Sequence, residues 1–461
     1  MGAFLLPITF FTKTFGGKIE SAETLSMLAF PAFVLLLLLQ LFRYPKRVHD
    51  IIPSTKSILL GCFFLVAQSI SIFLSYNVTG DNQQTTGIVR SYIFLFGWIL
   101  TVYLAWAIVA VSVTNHREEK LFINSGLVSL TIYVVLVLFP QLLVSIGQNW
   151  LLNYVNTMAA LFERHWVGRN DFYIMGSYVA TNHRLNGFEP EAAVLANLLS
   201  IIYLPILLGF AIVGQRLVRV KNKIFNSKYI VWVMIFILFT FLIMAKTSTG
   251  IIELIVALLI WFGWSKKNDK IFLAIISFLG LLFITLMYVA VPTIHNILNQ
   301  FLFQKSGTDN RIGGTIALML TFLSHPFLGV GYDYTGYFIL KYVPEWTTHN
   351  WEYVNFYSKE RYPILSAGVG WFATFGLVIM LPALWMLGRM IVRSIIIQNK
   401  LKDSNTEHAS WNRAIQISFL AMTLLVAVSA IFAINIFLWP YLIMFFFYRQ
   451  HLINQEKELA L

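Results

Sequence analysis

The chain is built around long apolar runs, and about 20 mostly apolar residues let one helix cross about 30 Å of hydrocarbon. Eleven candidate spans can be read: 25–42, 57–76, 88–113, 121–146, 192–213, 229–246, 250–264, 271–290, 363–388, 414–433 and 435–449. Within lipid every backbone N–H and C=O must find a partner inside the protein, which leaves packed helices as the solution. Composition agrees. Hydrophobic residues make up 58% of the chain, charged residues only 12%, and the mean hydropathy is +0.72; a soluble domain carries about 25% charge. The expectation is an all-α polytopic membrane protein of about 11–12 transmembrane helices, a single integral membrane domain over 1–461. Only "AIN" separates the last two runs, and Asn435 and Pro440 suit either a hairpin or a kink there. The lone Cys62 excludes an intrachain disulfide. No basic stretch followed by a short apolar run opens the chain, so the first span is expected to remain in the mature protein.

The net charge of +12 reads as topology rather than as nucleic-acid binding. Arg43, Lys46, Arg47, Lys56, Arg117, Lys120, Arg216, Arg219, Lys221, Lys223, Lys228, Lys266, Lys267, Lys270, Arg389, Arg393, Lys400, Lys402, Arg413, Arg449 and Lys457 all fall on one side of the predicted spans. They are about two thirds of the 33 Lys and Arg, and such a bias marks the cytoplasmic side. Two long loops, 147–191 and 291–362, then lie outside. Both keep many aromatic and apolar residues, unlike a disordered linker. The run "TIALMLTFL", 315–323, is too short to span and is expected at the interface or as a lid. The tail "NQEKELAL" reads as a solvated end.

No G-x-x-x-x-G-K-[ST] phosphate loop, no G-x-G-x-x-G fingerprint and no clustered D-x-D or H-x-x-x-H in the outer loops appears, so neither nucleotide, cofactor nor metal is expected. Glu253 is the main ionisable residue inside a span. Such scarcity weighs against a proton or ion relay, which uses several.

Four cationic or titratable groups lie on the predicted outer side: Arg184 in "NHRLNGFEPEAA", Lys246 in "AKTSTG", Arg311 in "GTDNRIGG" and His349 in "TTHNWE". Each also has an ordinary reading: a headgroup arginine, a snorkelling lysine, an Arg311–Asp309 ion pair, a satisfied loop histidine. The chemical reading starts from the membrane face. Nucleotides are scarce there, so an activated sugar arrives on a lipid pyrophosphate. Cleaving the sugar–pyrophosphate bond leaves negative charge that arginine receives best through two parallel hydrogen bonds. In a partly dry site such donors stabilise charge more strongly than in water. His349 suits a general base, with Glu189 in reserve. Tyr332, Tyr334 and Trp346 offer flat rings to sugar faces. Gly329 and Gly331 would admit a ligand close to the backbone.

These residues bear a resemblance. "SHPFLGVGYDYTGYF" is similar to the P-[FL]-x-G-x-G hallmark of the bacterial O-antigen polymerase and O-antigen ligase superfamily, preceded by Arg311 and followed by the His349–Asn350 pair and the Gly-bearing span "AGVGWFATFGL". "RLNGFEPEAAV" resembles the Arg, Gly and Glu-Pro element of the polymerase-like members. The likeness is firmest over roughly 180–390. It implies a GT-C-type glycosyltransferase fold with two external loops. It also implies transfer of glycan from undecaprenyl pyrophosphate to an acceptor hydroxyl outside a bacterial inner membrane, without metal. By the same resemblance Arg311 would contact pyrophosphate and His349 would lie near the acceptor. Members, ligases especially, often carry Ser-Arg where this chain has Ser248 and Thr249, which favours polymerase. The resulting expectation is a polysaccharide polymerase. Catalysis would fall to His349, Arg311 and Arg184, and substrate binding to Lys246, Glu189, Asn350, Tyr332, Tyr334 and Trp346. A separate chain-length regulator is a possible partner. The rivals are an O-antigen ligase, differing only in acceptor, and a lipid-linked glycan or small-solute transporter.

Overall fold

A computed structural model describes residues 29–80, 87–166, 169–215, 229–292, 295, 299, 308–359, 362–401, 407–432 and 439–459. All regular structure among them is helical. The helices are α1 (Ala29–Arg43), α2 (Thr55–Thr79), α3 (Ile88–Ser112), α4 (His116–Ser145), α5 (Leu152–Phe162), α6 (Ala192–Val213), α7 (Tyr229–Met244), α8 (Ser248–Trp264), α9 (Lys267–Ala290), α10 (Thr308–Ser324), α11 (Thr335–Tyr342), α12 (Ala367–Leu401), α13 (Glu407–Phe432) and α14 (Trp439–Glu458). Every expected apolar run forms a helix over its described part. Six of them, α2, α3, α4, α6, α12 and α13 up to Ile431, are long and apolar enough to cross a membrane. The protein is a polytopic, all-helical membrane protein. α13 and α14 are separate helices; the "AIN" turn, and the cluster from Arg216 to Lys228, lie outside the described residues.

α6 is the axis of the molecule. Leu198, Leu199, Ile201, Ile202, Leu204, Leu207, Leu208 and Phe210 on it are buried, enclosed chiefly by α13, α7 and α8. Apolar residues surround this helix on all sides, which marks a core helix rather than a lipid-facing one. α2 and α12 instead turn most of their apolar surface outward. Two widened π-turns interrupt the long helices, at Val134–Leu138 and Leu198–Tyr203.

The glycine-rich segment after α10 is a joint between helices. α12 breaks at Gly376 (φ 64°). The N–H groups of Leu377 and Val378 donate to the carbonyls of Pro326 and Phe327, while Val330 and Gly331 donate to Ala373 and Thr374. Ser71 and Ser75 of α2 donate to the carbonyls of Gly329 and Val330. A Cβ at Gly329 (φ 68°) would lie 2.5 Å from the Thr374 carbonyl oxygen, and one at Gly331 (φ 84°) 2.8 Å from the Ile72 nitrogen. The close approach foreseen for these glycines is therefore to the protein's own backbone. Four backbone groups freed near the break in α12 are thus taken up by the crossing segment, the kind of pairing that lipid favours.

Two further segments gain definition. The 315–323 run belongs to the longer α10, which packs Ala317 and Leu318 against Tyr362, Leu365 and Ala373 and leaves Ile312, Met319 and Leu323 exposed. The tail is not a solvated end. α14 continues to Glu458, and Asn454 donates to Glu119 and to the Val113 carbonyl. Arg393 of α12 pairs with Glu456.

Candidate functional site

The first long loop, 147–191, is organised by two buried carboxylates. Glu163 accepts from the Tyr178 N–H and from Asn186 Nδ2 at 3.0 Å. Glu189 pairs with Arg164 at 2.9 Å, and both side chains are nearly inaccessible. Burial raises the Glu189 carboxyl above its ordinary range although Arg164 opposes the shift. The geometry thus gives Glu189 a structural partner and removes it from the surface where an acceptor hydroxyl would arrive. Tyr133 Oη receives the Phe188 N–H, and Gln141 bonds both the N–H and the carbonyl of Gly187. The Arg184–Glu191 segment is thereby clamped to α4.

Arg184 and Lys246 meet beside the start of α6 and the end of α7. Arg184 Nε donates to the Ala245 carbonyl at 3.4 Å, and Lys246 Nζ donates to the His183 carbonyl at 2.9 Å. His183 and Lys246 both have left-handed backbone, φ 51° and 50°. Neither is glycine, so each strains the backbone by about 1–3 kcal/mol, a cost that recurs at ligand sites. Burial and the neighbouring guanidinium of Arg184 push the Lys246 ammonium below its ordinary value. Two cations pressed together in this way favour an anion between them.

The second long loop, over its described part, is tied to the start of α10. Asn310 Nδ2 donates to Asn350 Oδ1 and to Glu352 Oε2, each at 2.9 Å, and Asn350 returns a bond to Asn310 Oδ1. Tyr362 Oη donates to the Asn310 carbonyl at 2.6 Å. Arg311 and His349 are the immediate neighbours of this interlocked pair. Arg311 is partly buried on the first turn of α10, and His349 stands exposed in the turn after Glu345–Thr347. Asn350, expected to bind substrate, spends its amide on Asn310, the Thr347 carbonyl and the Tyr353 N–H.

The two loops are joined by Arg169. Its guanidinium is 3.9 Å from the Phe172 ring centroid and 4.9 Å from that of Phe356, pairs with Asp171 at 3.1 Å and reaches Glu352 at 3.4 Å. Glu191 stands at the N-terminal cap of α6. Burial lifts the Tyr178 phenol to about 12, with Arg184 lowering it and Glu191 and Glu163 raising it. The Tyr357 phenol is raised by burial and by Glu352 and Glu191, against Arg169 and Arg311. One carboxylate therefore acts on a phenol beside Arg184 and on another beside Arg311. Its Oε1 is buried without a hydrogen bond.

Several expected contacts sit elsewhere. Tyr334 is fully buried with Ile72, Leu95, Val330 and Phe338. Tyr332 packs against Trp98 and Phe375, and its N–H donates to Gln68. Both therefore serve the α2–α3–α12 joint. Trp346 is 48% exposed, on the same rim as Trp351. Sequence reasoning missed Glu191, Arg169 and Glu352. The only local signal was the repeated glutamate of "EPE", and Arg169 and Glu352 are 183 positions apart. Comparisons with family models, curated proteins and solved structures return no match to this chain.

Proposed function

We propose that this protein is a polysaccharide polymerase of the outer face of a bacterial inner membrane, a metal-independent glycosyltransferase of GT-C type with 11 spans. It moves a growing glycan from undecaprenyl pyrophosphate to a hydroxyl of an incoming lipid-linked repeat unit. The observation that carries this reading is the close approach of Arg184 and Lys246, each bonded to the other's neighbouring backbone, where His183 and Lys246 hold left-handed conformations. This arrangement suits a lipid diphosphate at the depth where its headgroup lies.

In the proposed reaction the acceptor oxygen attacks the anomeric carbon and the bond to the pyrophosphate oxygen breaks. Arg184, Lys246 and Arg311 receive the charge that develops on the leaving pyrophosphate. His349, exposed beside Asn350, takes the hydroxyl proton, with Glu191 as the alternative base. Arg169 and Glu352 hold the two loops in register. The exposed Trp346 and Trp351 supply rings for sugar or headgroups.

Purified protein supplied with lipid-linked repeat units tests the reading. Longer chains form without an ion gradient, and His349→Ala and Arg311→Ala abolish them while the protein still inserts. Arg184→Lys rescues poorly, since an ammonium lacks the planar fork. Normal long-chain product from the His349 and Arg311 variants would refute the assignment. Loss of the gene in cells separates polymerase from ligase: core capped with one repeat unit indicates polymerase, whereas uncapped core with polymer left on its carrier indicates ligase.

A further inference from the structure

Glu253 is a carboxylate in the interior of a membrane protein. It lies five residues into α8, about 8 Å below the turn that carries Lys246. Its side chain is 1% exposed, and neither oxygen makes a hydrogen bond of ordinary geometry. The hydroxyls of Ser200 on α6 and Ser429 on α13 face it, yet both donate to Asn197. Ser429 Oγ reaches Asn197 Oδ1 at 2.7 Å, and Ser200 Oγ reaches the Asn197 carbonyl at 3.4 Å. Two hydroxyls held by Asn197 thus neighbour a carboxylate that has no charged partner. Ser200 belongs to the π-turn Leu198–Tyr203, and Asn197 immediately precedes it; such turns recur at functional sites. α6 and α7 contain no charged residue, and Glu407 and Arg413 of α13 are at its far end. Tyr441 of α14 is the titratable neighbour, lying within electrostatic reach of Glu253 and of the Arg164–Glu189 pair.

An ionised carboxylate with hydroxyl neighbours but no opposite charge in hydrocarbon is strongly unfavourable. One positive charge removes the cost. We propose that Glu253, Ser200 and Ser429, braced by Asn197, form an intramembrane site for one monovalent cation, a proton or a sodium ion. A proton on Glu253 would donate to a serine oxygen. A sodium ion would be shared between the carboxylate and the two hydroxyl oxygens. Either leaves the site neutral overall, and Tyr441 links its occupancy to the charged layer above.

The test uses the full chain in lipid nanodiscs and no glycan, so its outcome is independent of the polymerase reading. Infrared spectra are recorded from acid to alkaline pH in choline chloride and in sodium chloride at equal ionic strength, with thermal unfolding in parallel. A carboxylic-acid C=O band in choline that Glu253→Gln removes identifies the proton. A sodium-dependent rise in unfolding temperature, also removed by Glu253→Gln, identifies sodium. Ser429→Ala guards against a folding defect in that variant: it shifts the band or weakens sodium stabilisation about tenfold or more. A wild-type protein with neither band nor sodium response overturns the proposal, as does a band or response that Glu253→Gln leaves unchanged.

Discussion

Removing Arg164 should unfasten the first long loop and do so in a pH-dependent way. Its guanidinium meets Glu189 at 2.9 Å, with side-chain exposures of only 8% and 4%. Deleting one member of a buried pair strands the other and costs about 3–5 kcal/mol, while replacing both with apolar residues of similar volume is close to neutral. Arg164→Ala should therefore lower the unfolding temperature of detergent-solubilised protein by on the order of 3–5 °C at neutral pH. Arg164→Met combined with Glu189→Leu should recover most of the loss. Glu189 is already raised from its ordinary 4.5 by burial, with Arg164 opposing. Without Arg164 it rises further, and the folded state then holds the proton more tightly than the unfolded chain does. Stability from such a group is fully present below the unfolded value and is lost as pH rises through the folded one. The defect of Arg164→Ala should accordingly shrink as pH falls toward 4.5, and the double variant should show no such trend. A loss under about 1 kcal/mol, the range of an exposed pair, or a defect independent of pH, would refute this account of the loop.

Three other outcomes follow from the same structure. Gly329→Ala combines left-handed backbone with a 2.5 Å collision against Thr374, and should abolish recovery of folded protein on size-exclusion chromatography; Gly263→Ala, where nothing lies within 4 Å, should be silent. Glu191→Gln should cut glycan transfer about 10²-fold or more if this carboxylate takes the proton, with unchanged unfolding temperature; full activity would leave His349 as the sole base. Arg169→Ala should loosen the contact with Glu352 and impair transfer at low acceptor concentration, and Arg169→Lys should restore little because it loses the bidentate hold on Asp171.

The legible part of the site was its residue types. "EPE" offers two carboxylates separated by one proline, and the sequence favours neither, although in the structure Glu189 is paired and Glu191 keeps a buried oxygen without a hydrogen bond. The choice depended on Arg164, whose pairing with Glu189 is a tertiary contact with no sequence signature. The tyrosines of "GYDYTGY" suited sugar equally well on paper, but Tyr334 faces Ile72 and Leu95 because the preceding glycines dock on α2 and α12.

Hydropathy by itself determined that this chain is helical and membrane-embedded, since lipid admits few other arrangements of a backbone, and the bias of Lys and Arg pointed to the side on which the loops lie. Only the tertiary structure decided which helix is central, that the GVG turn repairs a break at Gly376, that the C-terminal segment docks on α3 and α4, and which cations are pressed together. Those outcomes rest on partners far apart in sequence. Packing selects such partners by shape and by satisfaction of buried polar groups, neither of which leaves a local pattern.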